Sequence, residues 1–304
     1  MIKKFIIKNN NKNKLNSSKT NDFLNLVPKI GILNQIKYDF DGILVATVQY
    51  EEGPCGCTLI YFEKGAQIYI DKRGGSPAYL SVESNDDDNF MDGICIAGGS
   101  ILGLEATCGV IAESLKLKQY KGFKKIAGSM LRSHNLDFNM IYPDKNLGRF
   151  ALRNLRQGVI STGQVGAGLY ASIGQGASYS QFDKGIKILA ITSINSIGDI
   201  FFNGNVIKRK RFKLSKNLKD NSTTISVLIT NLSLSSYKIE QIGKEVHTSM
   251  AEFIRPFHTI FDGDVFYCCS TNELKITDLS DHDIIDFGIN CSKVMADAIL
   301  KATK

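Results

Sequence analysis

The sequence lacks any apolar run that approaches the ~18 residues needed to cross a bilayer, so it predicts no transmembrane helix and no membrane partner. It also lacks a C-x-x-C pair and any zinc-type spacing of cysteine and histidine, although it contains seven cysteines. These absences exclude a zinc site of the common kinds. The cysteines are therefore expected to be buried free thiols in a reducing, cytoplasmic compartment.

The first 21 residues contain no acidic residue and no arginine, and they are rich in asparagine and lysine. Their apolar piece Phe5-Ile6-Ile7 is too short for the core of a signal peptide. The lack of arginine argues against a mitochondrial presequence. We expect residues 1–22 to be a disordered basic extension and residues 23–304 to form a single domain with a substantial core.

The formal net charge of +7 is concentrated in two segments, Lys3 to Lys19 and Lys208 to Lys219. Together they carry 13 positive charges and no acid, so the remainder has a formal net charge of −6, which argues against a broad surface for nucleic acid. We expect no specific nucleic-acid partner. Binding of a polyanion through Lys208 to Lys219 stays open as an alternative, and such binding would be weak and lost at moderate salt.

Strands and helices alternate along the chain, and several strands are adjacent in sequence. This order predicts mixed α/β layers rather than a doubly wound parallel sheet. Apolar runs predict strands at 43–48, 57–62, 66–70, 93–97, 188–195 and from Thr223 onward, and helical periodicity predicts helices at 102–115, 235–253 and 292–302.

Two glycine-rich segments raise the question of a bound anion. Gly98-Gly99-Ser100 lies between a buried strand and a helix, where backbone N–H groups favour negative charge. Gly166-x-Gly168 is followed by Leu169-Tyr170-Ala171, so the third glycine of a dinucleotide-binding loop is missing. We therefore predict no dinucleotide site there.

Thr223 lies where a basic, polar run becomes an apolar strand. A hydroxyl at such a junction could attack the preceding carbonyl and leave a threonine with a free amine. That amine can then act as the base for its own hydroxyl. Taken alone, the same residues are far more typical of a loop that enters a β-strand.

Seven segments in order resemble the DmpA-type L-aminopeptidase/D-esterase family, which includes β-aminopeptidases and the nylon-oligomer hydrolase. The resemblance runs from about Pro28 to the C-terminus. The segments are Gly56-Cys57-Thr58-Leu59-Ile60, Asp71-Lys72-Arg73-Gly74-Gly75-Ser76-Pro77, 97–106, Val165-Gly166-Ala167-Gly168, 194–199, 223–231 and 255–264.

The resemblance implies a self-cleaving hydrolase whose nucleophile is Thr223. The cut would lie between Ser222 and Thr223, which gives an α chain of residues 1–222 and a β chain of residues 223–304, with a flexible linker at about 205–222. The most similar members have asparagine before the nucleophile. Here Ser222 takes that place and Asn221 stands one residue earlier.

Three further catalytic roles follow from the resemblance. Asn195 falls on the asparagine whose amide stabilises the oxyanion. Asp262 and Asp264 fall on an acidic pair that assists the nucleophile, and residues two apart in an extended segment point the same way. The resemblance gives His258 no catalytic task, so we expect it to be structural.

One position departs from the family pattern. The nylon-hydrolase branch has a catalytic lysine where this chain has Gln175, which keeps a donor but loses the charge. Other branches use a tyrosine, and Tyr142 is a candidate for that role. Backbone N–H groups at Gly98 and Gly99 are candidates for additional oxyanion support.

The resemblance implies a four-layer αββα sandwich of the DmpA/ornithine acetyltransferase type, assembled as a homotetramer, with no cofactor or metal. Expected substrates are small peptides, amino-acid amides or esters, and ω-amino-acid oligomers. Two alternatives remain: a member that no longer cleaves itself and has a binding or assembly role, and an acyltransferase of the ornithine acetyltransferase type.

Overall fold

The computed structural model describes residues 20–304 except 54, 78, 81–89, 133–140, 170, 210–221 and 278. Most of the predicted extension at 1–22 lies outside the described residues. So does most of the basic run at 208–219 and of the linker expected at 205–222.

Strands dominate the described chain, and four α-helices accompany them. The strands are β1 Lys29–Ile30, β2 Asn34–Lys37, β3 Ile43–Tyr50, β4 Cys55–Arg73, β5 Tyr79–Leu80, β6 Phe90–Ala97, β7 Ile126–Met130, β8 Arg156–Gln157, β9 Val159–Thr162, β10 Gly174–Gln181, β11 Lys187–Asn195, β12 Asp199–Phe202, β13 Asn205–Lys208, β14 Thr223–Leu232, β15 Ile254–Arg255 and β16 Asp264–Leu274. The helices are α1 Leu104–Leu117, α2 Lys145–Arg153, α3 Ser236–Ser249 and α4 Asp281–Lys301.

The main sheet has the order β10-β11-β14-β16-β4-β6-β7-β5, and β3 also pairs with β4. The long strand β4 joins its two halves. The first part of β4 pairs with β3 and β6, and its last part pairs with β16, with an irregular register between Tyr61 and Ala66. Side chains from both halves meet in one apolar cluster, so the halves pack face to face.

The fold has four layers, and an apolar cluster lies between each layer and the next. The central cluster lies between the two halves of the sheet, a second lies under α3 and α4, and a third lies under α1 and α2. Successive side chains of a strand point to opposite faces of the sheet, so one strand contributes to two clusters. In β14, for example, Val227 and Ile229 enter the central cluster and Leu228 faces α3 and α4. The predicted αββα sandwich is confirmed.

Several predicted boundaries were wrong. Residues 57–62 and 66–70 belong to one strand, β4, rather than to two. Helix α4 begins at Asp281 instead of 292, because Ser280 and Asp283 form a capping box at its start. Among the described helices, none has the length and apolar character needed to cross a membrane.

The first four residues of the predicted linker, 205–208, are in regular structure. Asn205–Lys208 form β13, which pairs with β12 in a hairpin. The turn residues Asn203 and Gly204 both have positive φ, 49° and 78°, as a tight Asn-Gly hairpin turn requires. The chain therefore stays in regular structure through Lys208.

Candidate active site

Thr223 is the first residue of β14 and is 1% exposed. It pairs with Asn195, the last residue of β11, in an antiparallel register. Residues directly opposite on antiparallel strands have Cβ atoms about 4.5–5.5 Å apart and point to the same face. The structure therefore brings the predicted nucleophile and the predicted oxyanion donor together, on the face that carries Ile225 and Val227 into the central cluster.

The Asn195 amide is held in one orientation by two hydrogen bonds. Its Oδ1 accepts from the backbone N–H of Ser172 at 2.8 Å, and its Nδ2 donates to the carbonyl oxygen of Arg132. Because Nδ2 carries two hydrogens, one donor remains without a partner in the described part of the chain. The Asn195 side chain shares a face with that of Thr223, where a neutral amide can meet developing negative charge.

Arg132 is a site residue that the sequence analysis missed. Its backbone N–H donates to Thr223 Oγ1 at 3.5 Å. The available signal was topological: β6 and β7 run parallel, so the residues after them emerge at the same edge of the sheet. Gly98 and Arg132 both follow these strands, but only a knowledge of the pairing places Arg132 next to β14.

The two glycines after β6 lie near this edge, because Leu131 N–H donates to Ala97 O at 2.7 Å and Ser100 N–H to Leu131 O at 3.1 Å. The Gly98 N–H donates to Gly56 O at 2.9 Å, so in this structure it is already engaged and is not free for an oxyanion. Gly99 adopts a left-handed conformation with φ 78°. A side chain there would collide with Pro143 and Tyr142.

The acidic pair lies beside the Ser222–Thr223 peptide bond but faces the other side of the sheet. Ser222 pairs with Asp262 in a parallel bridge, and Thr224 N–H donates to Asp264 Oδ1 at 2.7 Å. Because side chains alternate along strands, Asp262 and Asp264 share a face with Ser222 and Thr224, opposite to that of Thr223. Both carboxyls are at most 1% exposed.

The two carboxyls differ in how they are bonded. Asp264 Oδ2 meets His258 Nδ1 at 2.9 Å, whereas Asp262 Oδ2 accepts the Thr259 N–H at 2.8 Å. Asp262 Oδ1 is buried and has no hydrogen-bond partner among the described residues. Burial, followed by the neighbouring charge of Asp262, raises the pKa of Asp264 above its ordinary value, against the opposing effect of His258.

His258 belongs to a buried cluster of rings behind the site. Its ring lies 4.5 Å from that of His247 in an edge-to-face contact and is stacked 3.8 Å from Phe257. Burial lowers the pKa of His247 to about 4, although Asp71 accepts a bond from its Nδ1 at 2.9 Å and opposes the shift. His247 is therefore neutral at physiological pH, and this cluster supports Asp264 from behind.

The loop that contains Gly75 and Ser76 packs against the loop that contains Thr259 and Asp262. Ser76 N–H donates to Asp262 O at 3.0 Å, and Gly75 N–H donates to Thr259 O at 3.1 Å. A Cβ on Gly263 would lie 2.2 Å from the Ser76 carbonyl oxygen, so the approach depends on that glycine.

Replacing Gly263 by alanine is expected to push the loop of Ser76 away and to displace the residues on either side, Asp262 and Asp264. We expect a loss of stability of about 1–3 kcal/mol, typical of overpacking, together with slower maturation and turnover. Thermal unfolding and the fraction of uncut chain after purification check this. Unchanged stability and unchanged processing would show that the close approach is unimportant.

Gln175 lies on β10 and is fully buried. Its Oε1 accepts from Thr58 Oγ1 at 2.6 Å and from Ser193 Oγ at 3.3 Å, and its Nε2 donates to Ser161 O at 2.8 Å. These bonds tie together four strands, and none of them involves Thr223. In this structure the Gln175 side chain links neighbouring strands, and its partner on β11, Ser193, lies two residues before Asn195.

Tyr142 lies against Gly99 on the side of the sheet covered by α1 and α2. Its backbone N–H donates to Asn21 Oδ1 at 3.0 Å. Burial, followed by the charge of Glu105, raises the pKa of its hydroxyl to about 12. A phenol with a raised pKa has an even smaller fraction of phenolate at neutral pH than an ordinary tyrosine. The structure therefore does not activate the Tyr142 hydroxyl as a base.

A cavity of about 450 Å³ lies at the opposite end of the sheet, lined by residues that include Phe182, Ile186, Leu232 and Phe287. The cavity lies near the first residues of β11, and Asn195 is the last residue of that strand. The length of β11 therefore places the cavity roughly 25 Å from Thr223. Within the described ranges, no group of three or more His, Cys, Asp or Glu side chains is placed to hold a metal ion.

Residues 34–303 match the protein-family model described as "Peptidase family S58". A similar protein is a "6-aminohexanoate-oligomer endohydrolase" of Kocuria sp. (strain KY2), which is 30% identical, with 88% of this chain and 86% of the relative aligned. An "uncharacterized aminopeptidase" of Mycobacterium leprae (strain TN) is 24% identical over 75% of this chain and 74% of its own.

Solved structures are similar over most of their length. The PH0078 protein of Pyrococcus horikoshii OT3 superposes with a TM-score of 0.70 at 16% identity, covering 90% of this chain and 88% of its own. An L-aminopeptidase D-Ala-esterase/amidase of Ochrobactrum anthropi, described as a variant of the Ntn hydrolase fold, has a TM-score of 0.66 at 14% identity, covering 90% and 86%. At these identities the likeness shows the fold.

Proposed function

The chain belongs to peptidase family S58 and is a hydrolase of amide bonds with the N-terminal-nucleophile fold, and from that premise we propose that Thr223 is its nucleophile, exposed by self-cleavage after Ser222. One observation carries the proposal. Thr223 opens a strand opposite Asn195, with the Arg132 N–H at its hydroxyl and the buried Asp262 beside the bond to be cut.

Self-cleavage starts from the continuous chain. The Thr223 hydroxyl attacks the carbonyl carbon of Ser222, its proton passes to the amide nitrogen, and the acyl group moves from nitrogen to oxygen. The Ser222 carbonyl oxygen accepts the Gly263 N–H at 2.8 Å, and this bond polarises the carbonyl that is attacked. Water then hydrolyses the ester, which leaves a carboxylate on Ser222 and a free amine on Thr223.

In turnover the new amine takes the proton of the Thr223 hydroxyl as it attacks the substrate carbonyl. The oxyanion receives the free N–H of Asn195 and the backbone N–H of Arg132, both already positioned beside Thr223. The amine returns the proton to the leaving nitrogen, and water releases the acid from the acyl-enzyme. The chemistry requires only side chains and backbone groups of this chain.

Asp262 is proposed to hold the new ammonium. The Thr223 nitrogen lies in the plane of the sheet, between the face of its own side chain and the face of Asp262. When Ser222 is released, the unpartnered Asp262 Oδ1 gains a cation beside it. Asp264, bonded to His258 and to the Thr224 N–H, fixes the neighbouring turn of backbone.

The pH dependence of turnover follows from these charges. An α-amine has an ordinary pKa of about 7.7–8.0, and nearby carboxylates favour the ammonium and raise that value. Because the neutral amine is the base, kcat/KM rises with pH through that pKa and is lost below it. Asp262→Asn is expected to move the acid limb to lower pH by about one pH unit.

Exposed Asp281 provides the control for this profile, since Asp281→Asn removes a carboxylate far from Thr223 and leaves the limb in place. A limb that stays in place or moves to higher pH in Asp262→Asn would refute the role given to Asp262.

We propose substrates among small peptides, amino-acid amides or esters, and ω-amino-acid oligomers, supported by the names of the relatives. A reducing, cytoplasmic compartment is supported by the seven free cysteines. A homo-oligomer is supported by exposed apolar side chains such as Ile101 and Tyr120. Hydrolysis of a 6-aminohexanoate oligomer by freshly purified protein, absent in Thr223→Ala, tests the proposal.

A further inference from the structure

The side chain of Arg132 is the next feature of the site. Its guanidinium Nη2 donates to Ser76 Oγ at 2.8 Å, and the residue is partly exposed. In the described part of the chain no carboxylate lies within 4.0 Å of it, in contrast to Arg73, Arg149 and Arg153, which all pair with buried or half-buried acids. An arginine that is held in place and lies apart from every described carboxylate is suited to an anion from outside.

The position of this cation relative to the nucleophile is set by its own backbone. The Arg132 N–H reaches Thr223 Oγ1 at 3.5 Å, so the guanidinium is separated from the reacting hydroxyl by no more than the length of one side chain. Ser76 holds it from the opposite loop, and Ser76 in turn donates its N–H to Asp262 O. The guanidinium is therefore anchored to the same framework as the nucleophile.

The charges around Thr223 are divided between the two faces of the sheet. Asp262 and Asp264 lie behind the sheet and are at most 1% exposed, so a substrate that approaches Thr223 on its own face does not meet them. The accessible charged group among the described residues next to Thr223 is the guanidinium of Arg132. A positive charge at this place favours a substrate with negative charge.

We propose that the Arg132 guanidinium, steadied by Ser76 Oγ, binds a carboxylate of the substrate, so that the preferred substrates are amides with a carboxylate close to the scissile bond. The inference rests on the proposed role of Thr223 and narrows its substrate class. The planar fork of an arginine accepts a carboxylate through two parallel N–H···O bonds, which adds orientation to the attraction.

The test compares substrates that differ only in this charge. One pair is the linear dimer of 6-aminohexanoate and its C-terminal carboxamide, which place the carboxylate on the leaving side. The other pair is glutaric acid mono-4-nitroanilide and its carboxamide, which place it on the acyl side. The measured quantity is the ratio of kcat/KM for acid to that for amide, since a general loss of activity cancels in the ratio.

We expect the parent to favour the acid of at least one pair by about 10- to 100-fold, in the range of a charge-assisted hydrogen bond. Arg132→Gln is expected to bring that ratio close to one through a higher KM for the acid, and Arg132→Lys to give an intermediate ratio. Arg156→Gln removes an exposed arginine on β8 and is expected to keep the ratio of the parent.

A parent ratio near or below one for both pairs, or a ratio that Arg132→Gln leaves unchanged, would overturn the inference while hydrolysis by Thr223 stands. Intact mass spectrometry of each variant confirms that it has matured.

If neither the parent nor Thr223→Ala hydrolyses any of the four compounds, the result contradicts the proposed function rather than the inference about Arg132. In that case, titration calorimetry tests whether the Arg132 guanidinium binds a carboxylate. Tighter binding of hexanoate than of hexanamide by the parent, lost in Arg132→Gln, supports it, and equal binding overturns it.

Discussion

Replacement of Thr223 by alanine is expected to leave a single chain of 304 residues and to lower kcat by at least about 10⁴-fold. The variant loses both the hydroxyl that attacks Ser222 and the amine that cleavage would release. Oxyanion donors alone give only residual catalysis. Denaturing electrophoresis and hydrolysis of a 6-aminohexanoate oligomer measure the two losses.

Thr224 offers a matched control one residue away. Its side chain points to the opposite face, and its hydroxyl has no hydrogen-bond partner. Thr224→Ala is expected to mature and to turn over at a rate near that of the parent. Thr223→Ser keeps a hydroxyl and is expected to mature. Full activity in Thr223→Ala, or equal losses in the two alanine variants, would contradict the assignment of the nucleophile.

Replacement of Asn195 by alanine is expected to lower kcat by about 10²- to 10³-fold, with little change in KM. The amide donates to an oxyanion that exists in the transition state and not in the bound substrate. Its loss therefore affects the rate more than the binding. Steady-state kinetics on fully matured protein separate the two constants.

Asn231 provides a structural control for this variant. It lies at the opposite end of the same strand pair, where Oδ1 accepts the Lys187 N–H at 2.8 Å and Nδ2 donates to Gly185 O at 2.9 Å. Asn195 makes the same two kinds of bond with Ser172 and Arg132. Asn231→Ala is expected to cost comparable stability and little kcat. A similar fall of kcat in both would indicate a structural role for Asn195.

The elements around the site could be predicted because their signals are local. Apolar runs indicated the strands that carry Asn195 and Thr223, and the strand–Gly-Gly–helix order around Gly98 predicted the start of α1 nearby. The resemblance in seven ordered segments predicted the αββα sandwich. The similar solved structures confirm that fold.

The parts that escaped prediction depend on which strands are neighbours. Arg132 follows β7 without any motif, and only the parallel pairing of β6 and β7 with the register of β11 and β14 places it at Thr223. For the same reason the sequence could not show that Gly98 donates to Gly56, or that Gln175 bonds to Thr58, Ser161 and Ser193.

The acidic pair shows how far spacing reaches. The interval of two residues between Asp262 and Asp264 predicted a shared face, and the register with Ser222 and Thr224 places both carboxyls there. Spacing could not show that this is the face opposite to the Thr223 side chain. For that reason we propose that the carboxyls act on the amine that self-cleavage would release rather than on the hydroxyl.

The most direct test of the central proposal is the N-terminal sequence and intact mass of each chain in freshly purified protein. Two chains of 222 and 82 residues, the smaller beginning with Thr223-Thr224-Ile225-Ser226, are predicted for the parent and absent from Thr223→Ala. A chain that remains at 304 residues, or a cut that begins at any other residue, would contradict self-cleavage by Thr223 and favour a member that does not process itself.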